Sequence, residues 1–284
     1  MKKFTYVICY YLLTSCTNYG QLKLIKQLPK KLDENSGIVS LNNNSIWVII
    51  DTKNADEVFQ VDLHGDIIKE LKVKNANNNN WEDLAKDNKG NVYIGDFGNN
   101  ENKRKNLVIY KIPNPEIEKG DKINAERIEF NYPEQTKFPP KKKNMLYDAE
   151  AMFYNNNSIY IITKNRAYPF NGKTLIYKIP AIPGKYSATL IGSFYTCEDD
   201  TTCKITAADI SLDGKKIVLL SNGKLWIFTD WNGENFSNGK TEAIDLGVTT
   251  QLESVCFLNN TTLLLSDEQD GNTGRNLYSY TLKE

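Results

Sequence analysis

The chain has 284 residues, 40% hydrophobic and 25% charged, values ordinary for a soluble globular protein with one large domain. Lysine plus arginine and aspartate plus glutamate each number 35, so the net charge is zero. That balance removes the electrostatic case for nucleic acid or an anionic membrane surface as a partner.

Lys2-Lys3 precede an apolar run from Phe4 to Leu13 that is too short to span a bilayer and is built like an export signal. It ends Leu13-Thr14-Ser15-Cys16, which resembles the lipobox of bacterial lipoproteins. The resemblance implies that residues 1–15 are removed and that Cys16 is lipidated; a plain secretory signal is the alternative. Residues 16–20 then form a tether and residues 21–284 the folded domain. The expected location is the cell envelope, periplasmic or surface-facing, with membrane contact only through the lipid and the protein itself a monomer.

One unit is then written five times: an apolar strand, a tight turn, a second apolar strand, and a polar residue where the second strand stops. Ser36-Gly37-Ile38-Val39 leads through Asn42-Asn43-Asn44 to Ile46-Trp47-Val48-Ile49-Ile50-Asp51. Trp81-Glu82-Asp83-Leu84-Ala85 leads through Asn88-Lys89-Gly90 to Val92-Tyr93-Ile94-Gly95-Asp96. Glu150-Ala151-Met152-Phe153, Thr206-Ala207-Ala208-Asp209-Ile210 and Glu253-Ser254-Val255-Cys256-Phe257 open the other three. Two further strands follow the first four pairs, as in Leu107 to Ile112 and Arg127 to Phe130. An all-strand unit repeated five times predicts an all-β, five-bladed β-propeller of four-stranded antiparallel blades. The fifth unit is one strand short, and a spare strand, Leu22 to Leu28, lies at the other end. It is expected to pair with the last blade and close the ring, removing an open edge. Six blades are the alternative if Lys119 to Tyr147 hides another; Pro133, Pro139, Pro140 and Lys141-Lys142-Lys143 mark that stretch as loop.

Export changes the meaning of cysteine. Cys197 and Cys203 bracket a short polar loop and are expected to form a disulfide, while Cys256 sits among apolar residues as a small hydrophobe. The one histidine, His64, lies in a turn, and the chain has no cysteine–histidine cluster. Zinc and a serine–histidine–aspartate triad are therefore not expected.

Aligning the five units by their turns makes Ser36, Glu82, Glu150, Thr206 and Glu253 equivalent, and the pseudo-symmetry of a propeller points them at one axis. The ends of the second strands add Asp51, Asp96, Lys164 and Asp267 on the same face, and the loops there carry Arg104, Arg166 and Arg275. Three glutamates converging on one channel repel one another. They must hold protons, pair with Lys164 and the arginines around a water-filled channel, or bind a cation. Three glutamates with a serine and a threonine meet the oxygen-rich demands of calcium.

The ring resembles the calcium site of the five-bladed calcium-activated nucleotidases, the apyrases, which place serines and glutamates around a central ion. Over nearly the whole mature chain the sequence more closely resembles an uncharacterised family of exported bacterial propellers. The shared signatures are Asn80-Trp81-Glu82-Asp83-Leu84-Ala85, Gly95-Asp96-Phe97-Gly98-Asn99-Asn100 with Arg104, Asp148-Ala149-Glu150-Ala151-Met152, Thr163-Lys164, and Thr206-Ala207-Ala208-Asp209-Ile210-Ser211. Asn99 departs from the family's usual Gly-Asp-x-Gly-Asp-Asn. The resemblance implies a fold and a site location, not a reaction.

Propellers host binders, enzymes and scaffolds alike. The favoured reading is an exported propeller that binds a divalent cation and a small ligand or partner at the channel mouth, with Asp96, Arg104, Lys164, Arg166 and Arg275 on the ligand side. The second is a metal-dependent hydrolase of phosphate esters or nucleotides. In it Asp51, Asp96 or Asp267 activates water and the arginines grip phosphate. The third is an interaction module without chemistry.

Overall fold

Ile46-Trp47-Val48-Ile49-Ile50 shows how this sequence makes a blade. The run is apolar throughout because both faces of the sheet are covered, and its side chains sort by alternation. Trp47 and Ile49 pack with Leu84, Ile94 and Tyr110 of the following blade, while Ile46 and Val48 pack with Leu264 and Leu277 of the last one. The same sorting runs round the molecule, so the core consists of five apolar clusters, each lying along the seam between two blades.

The computed structural model describes residues 19–51 and 55–283. The stretch read as an export signal, with Cys16 as its expected lipidation site, and the first residues of the loop after Asp51 lie outside them. The chain is a five-bladed β-propeller. Blade 1 is Asn35–Asn42, Ser45–Ile50, Glu57–Asp62 and Ile67–Lys74. Blade 2 is Trp81–Lys86, Val92–Asp96, Leu107–Ile112 and Glu126–Asn131. Blade 3 is Asp148–Asn155, Ser158–Lys164, Lys173–Pro180 and Thr189–Tyr195. Blade 4 is Ile205–Ile210, Ile217–Ser221, Lys224–Thr229 and Lys240–Asp245. Blade 5 is Leu252–Phe257, Thr262–Asp267 and Asn276–Thr281, completed by the N-terminal strand Lys23–Gln27.

That last strand runs antiparallel to Asn276–Thr281, with Lys23 opposite Ser279 and Gln27 opposite Asn276. Each innermost strand lies against the innermost strands of both neighbouring blades, so the ring is closed. The Asn-rich turns are used as their composition suggests. Asn156 and Asn157 both adopt left-handed backbone (φ 48° and 59°), which asparagine tolerates better than other side chains.

Two details differ from the four-stranded expectation. Lys122–Asn124, inside the stretch read as loop, adds a fifth strand parallel to Ile67–Lys74 of blade 1. Gly184–Ser187 does the same for the outer strand of blade 2. Both are too short to carry a periodic signal, and both cover an outer edge that would otherwise be open. Cys197 and Cys203 are joined in a disulfide with their Cα atoms 5.7 Å apart, and Cys256 is a buried free thiol.

Candidate functional site at the channel mouth

All five innermost strands carry a β-bulge at the same place. In blade 1 Asn35 pairs with Ile50 and Gly37 with Ile49, which leaves Ser36 as the extra residue. The skipped residues in the other blades are Glu82, Glu150, Thr206 and Glu253. The five residues aligned from sequence are thus the five bulged residues. A bulge breaks the alternation of a strand and re-aims one side chain, and bulges gather beside functional sites for that reason.

The ring splits by chemistry. Ser36 Oγ donates to the Glu82 carbonyl at 2.8 Å, and Thr206 Oγ1 to the Leu252 carbonyl at 2.6 Å, so each hydroxyl stitches its blade to the next. The glutamates meet cations. Lys164, at the end of its strand, places Nζ 3.1 Å from Glu150 and 3.8 Å from Glu253. Arg166 reaches Glu150 at 2.9 Å, Asp148 at 2.6 Å and the Asn100 side chain at 2.9 Å. Glu82 is bonded by Asn80 and lies against Gly98.

Among the described residues carboxylates outnumber cations here: Asp51, Glu82, Asp148, Glu150, Glu253 and Glu268 act on one another, with Lys164 and Arg166 as the cations between them. Burial, then Glu150 beside it, pushes Glu82 well up. Burial works the same way on Glu150, but Lys164 and Arg166 outweigh it and hold that carboxyl low. The pair therefore divides its proton unequally: Glu82 keeps it and Glu150 carries the charge. Burial brings Glu253 to about 7 against the pull of Lys164. It brings Asp148 to about 7, with Glu150 adding to the rise, and Glu268 to about 9, with Glu253 and Asp51 adding. Burial alone would lower Lys164, yet Glu150 and Glu253 hold it above its ordinary value.

These shifts fix a pH dependence. A carboxyl raised in the native state binds its proton there more tightly than when unfolded. Its stabilisation is complete below the unfolded pKa and is lost as pH rises through the native value. With chelator present, stability from denaturant unfolding is expected to fall as pH rises from about 5 to about 8, because Asp148 and Glu253 titrate in that window. A flat or rising profile would contradict the protonated cluster.

The channel is closed beneath the ring by Asp83, whose Oδ2 crosses from blade 2 to accept from Met152 N of blade 3 at 2.7 Å and Ala208 N of blade 4 at 3.4 Å. Lower down Asp209 accepts from Phe257 N of blade 5 at 2.7 Å, and Lys86 donates to the Ser40 carbonyl of blade 1. Burial raises Asp83 well above the carboxylate range and Asp209 to about 6, the latter opposed by Lys86. Sequence reasoning missed these three as site residues. An acid inside an apolar strand, as in Trp81-Glu82-Asp83-Leu84, was the available signal.

The other candidates are committed to structure. Asp96 is fully buried and accepts from Arg104 at 2.9 Å and from Asn79 and Asn80. Arg104 also donates to the Gly98 carbonyl and so pins the loop over Glu82. Asn99 Nδ2 donates to the Tyr147 carbonyl, a structural use of that side chain. Asp267 is buried and receives Thr250, Asn276 and Tyr278, while Arg275 donates to the Leu28 carbonyl and Gln269. Asp51 is only half-buried. The structure thus brings together Glu82, Glu150, Glu253, Lys164 and Arg166, and keeps Asp267 and Arg275 apart from them.

Gly98 makes the packing of Glu82 testable, because a Cβ there would collide with the side chains of Asn80 and Glu82. Gly98→Ala is expected to cost about 1–3 kcal/mol, as overpacking does, measured by denaturant unfolding.

No protein-family model matches this sequence, and no curated protein matches it. Solved structures do match in shape. An aldose sugar dehydrogenase from Streptomyces coelicolor, solved with PQQ bound, has 10% identity and a TM-score of 0.50, over 92% of this chain and 98% of that one. A gluconolactonase from Xanthomonas campestris has 12% identity and a TM-score of 0.43, over 84% and 69%. At such identities the likeness extends to the propeller fold and no further.

Proposed function

We propose that the protein is an exported, lipid-anchored propeller that binds a divalent cation and a small ligand at the mouth of its channel. The observation that carries this reading is the set of five aligned bulges turned onto one axis beside an excess of carboxyls among the described residues. Protons offset that excess in the ion-free protein, and a calcium-like cation would replace them.

The donor set fits with one condition. Among the described residues no group of acids, thiols or imidazoles stands ready as a ligand cage. Lys164 occupies the position from which Glu150 and Glu253 would hold an ion. Cation entry therefore requires the ammonium to withdraw, so the internal cation and the external one compete. Glu82, Glu150 and Glu253 would hold the ion, with oxygens of Ser36 and Thr206 completing the shell, and Lys164 and Arg166 would face an anionic or polar group of the ligand. Calcium at about a hundredfold over its Kd should add about 2.7 kcal/mol to stability, seen as a rise in melting temperature that EDTA reverses. Indifference to both calcium and EDTA would remove the cation from the reading.

The hydrolase reading of the same mouth is not favoured. Arg104 and Arg275 direct donors at backbone carbonyls rather than outward, Asp96 and Asp267 are buried with their oxygens hydrogen-bonded, and of the three acids only the half-buried Asp51 is left to activate a water. Phosphate release from a nucleotide and phytate panel, with and without EDTA, tests it.

A further inference from the structure

Away from the channel, a cleft of about 460 Å³ opens on blade 5 between the loop after blade 4, the loop that precedes Asn276 and the incoming N-terminal segment. Its lining differs from the rest of a chain rich in lysine: among the described residues no lysine, arginine or histidine contributes to it. The one acid among the described lining residues, Asp267, has its oxygens occupied by Thr250 Oγ1 at 2.7 Å, Asn276 N at 2.6 Å and Tyr278 Oη at 2.8 Å. Burial, with Asp267 next, pushes the Tyr278 hydroxyl up, so it stays a donor. A charged ligand would find no counter-charge among the described lining residues and would lose its hydration on entry.

What the walls do offer is a mixture of hydroxyls and amides. Thr249, Asn272 and Thr273 are exposed at the rim; Thr249 and Asn272 can both donate and accept, and Thr273 Oγ1, which donates to the Asp270 carbonyl at 3.0 Å, keeps its acceptor side. Tyr19 forms an aromatic wall that is half-buried and held 5.6 Å from the Tyr278 ring. The walls are fixed before any ligand arrives. Gln27 Nε2 donates to the Gly274 carbonyl at 3.1 Å, and Asp270 and Thr273 are bridged across the loop. Gly274 (φ 93°) and Arg275 (φ 58°) hold the loop in left-handed backbone. Preformed clefts of this size with a few convergent polar groups are the usual form of small-molecule sites.

We propose that the blade 5 cleft is a second binding site, for a neutral polyhydroxylated ligand of about one or two sugar rings. Such a ligand has hydroxyls that donate and accept in equal measure, matching the threonines and amides, and an apolar C–H face that packs on the Tyr19 ring. The site is separate from the channel mouth and does not depend on a cation there.

Saturation-transfer NMR provides the test, using glucose, N-acetylglucosamine, maltose and cellobiose as probes against glucuronate and glucose 6-phosphate. At least one neutral probe is expected to receive transfer, and the charged ones little. Asn272→Ala changes an exposed rim residue, while Tyr19→Ala also trims the edge of the blade 4–5 core and is compared only once circular dichroism shows it folded; each should weaken the neutral probe about tenfold. Glu150→Gln at the channel should leave its affinity unchanged. Absence of transfer to every neutral probe, equal binding of the charged ones, or undiminished affinity in both cleft variants would overturn the proposal.

Discussion

Deleting residues 21–29 should cost the protein most of its stability and drive it to aggregate. Leu22 and Leu28 are buried in the two seams that flank blade 5, at 6% and 1% exposure. Burying side chains of that kind is worth about 1.5–3 kcal/mol each, so the pair alone contributes about 3–6 kcal/mol against a total of about 5–15. The strand's hydrogen bonds to Asn276–Thr281 are lost as well, and that strand becomes an open edge bearing Leu277, Tyr278 and Tyr280. Thermal melting and size-exclusion chromatography check the outcome. A soluble deletion variant with unchanged melting would mean that the ring does not need this strand to close.

Lys164→Met should lower the stability of the ion-free protein by about 3 kcal/mol at neutral pH, the usual cost of removing one partner from a buried pair. Glu150 retains Arg166, whereas Glu253 loses its cation. The loss should shrink below about pH 6, because Glu253, already raised to about 7 by burial, then takes a proton and no longer requires a counter-charge. Unfolding curves for the two proteins at several pH values provide the check. A loss that is independent of pH would point to packing of the lysine stem rather than its charge.

The fold was legible because its rule is repeated. Five apolar hairpins with polar stops at matching offsets leave few architectures open, and a short last unit together with a spare first strand identifies the closure. The parallel strands Lys122–Asn124 and Gly184–Ser187 were not legible, since three or four residues show no period and pair only because another blade's edge lies beside them. The ring positions could be aligned by counting from the turns. The bulge that re-aims them could not be seen, because it lies in the pairing of two strands and not in the order of residues in either. The roles of individual acids were also hidden. Asp83 and Glu82 are adjacent in sequence, yet one seals the channel through Met152 and Ala208 and the other faces its mouth. Similarly, Arg104 and Arg166 look interchangeable as ligand-gripping residues. The first pins a loop to Asp96, and the second joins the carboxylate cluster.

Competition between Lys164 and an external cation for Glu150 and Glu253 is the central claim, and calorimetric titration of calcium into EDTA-stripped, dialysed protein tests it most directly. At about pH 8, where fewer of the raised carboxyls hold protons, the native protein should bind calcium and release protons to the buffer. Lys164→Met should bind it more tightly, because the internal competitor is gone, and Glu253→Gln more weakly. If neither the native protein nor Lys164→Met binds calcium, the ammonium is a permanent part of a polar channel and the cation site does not exist.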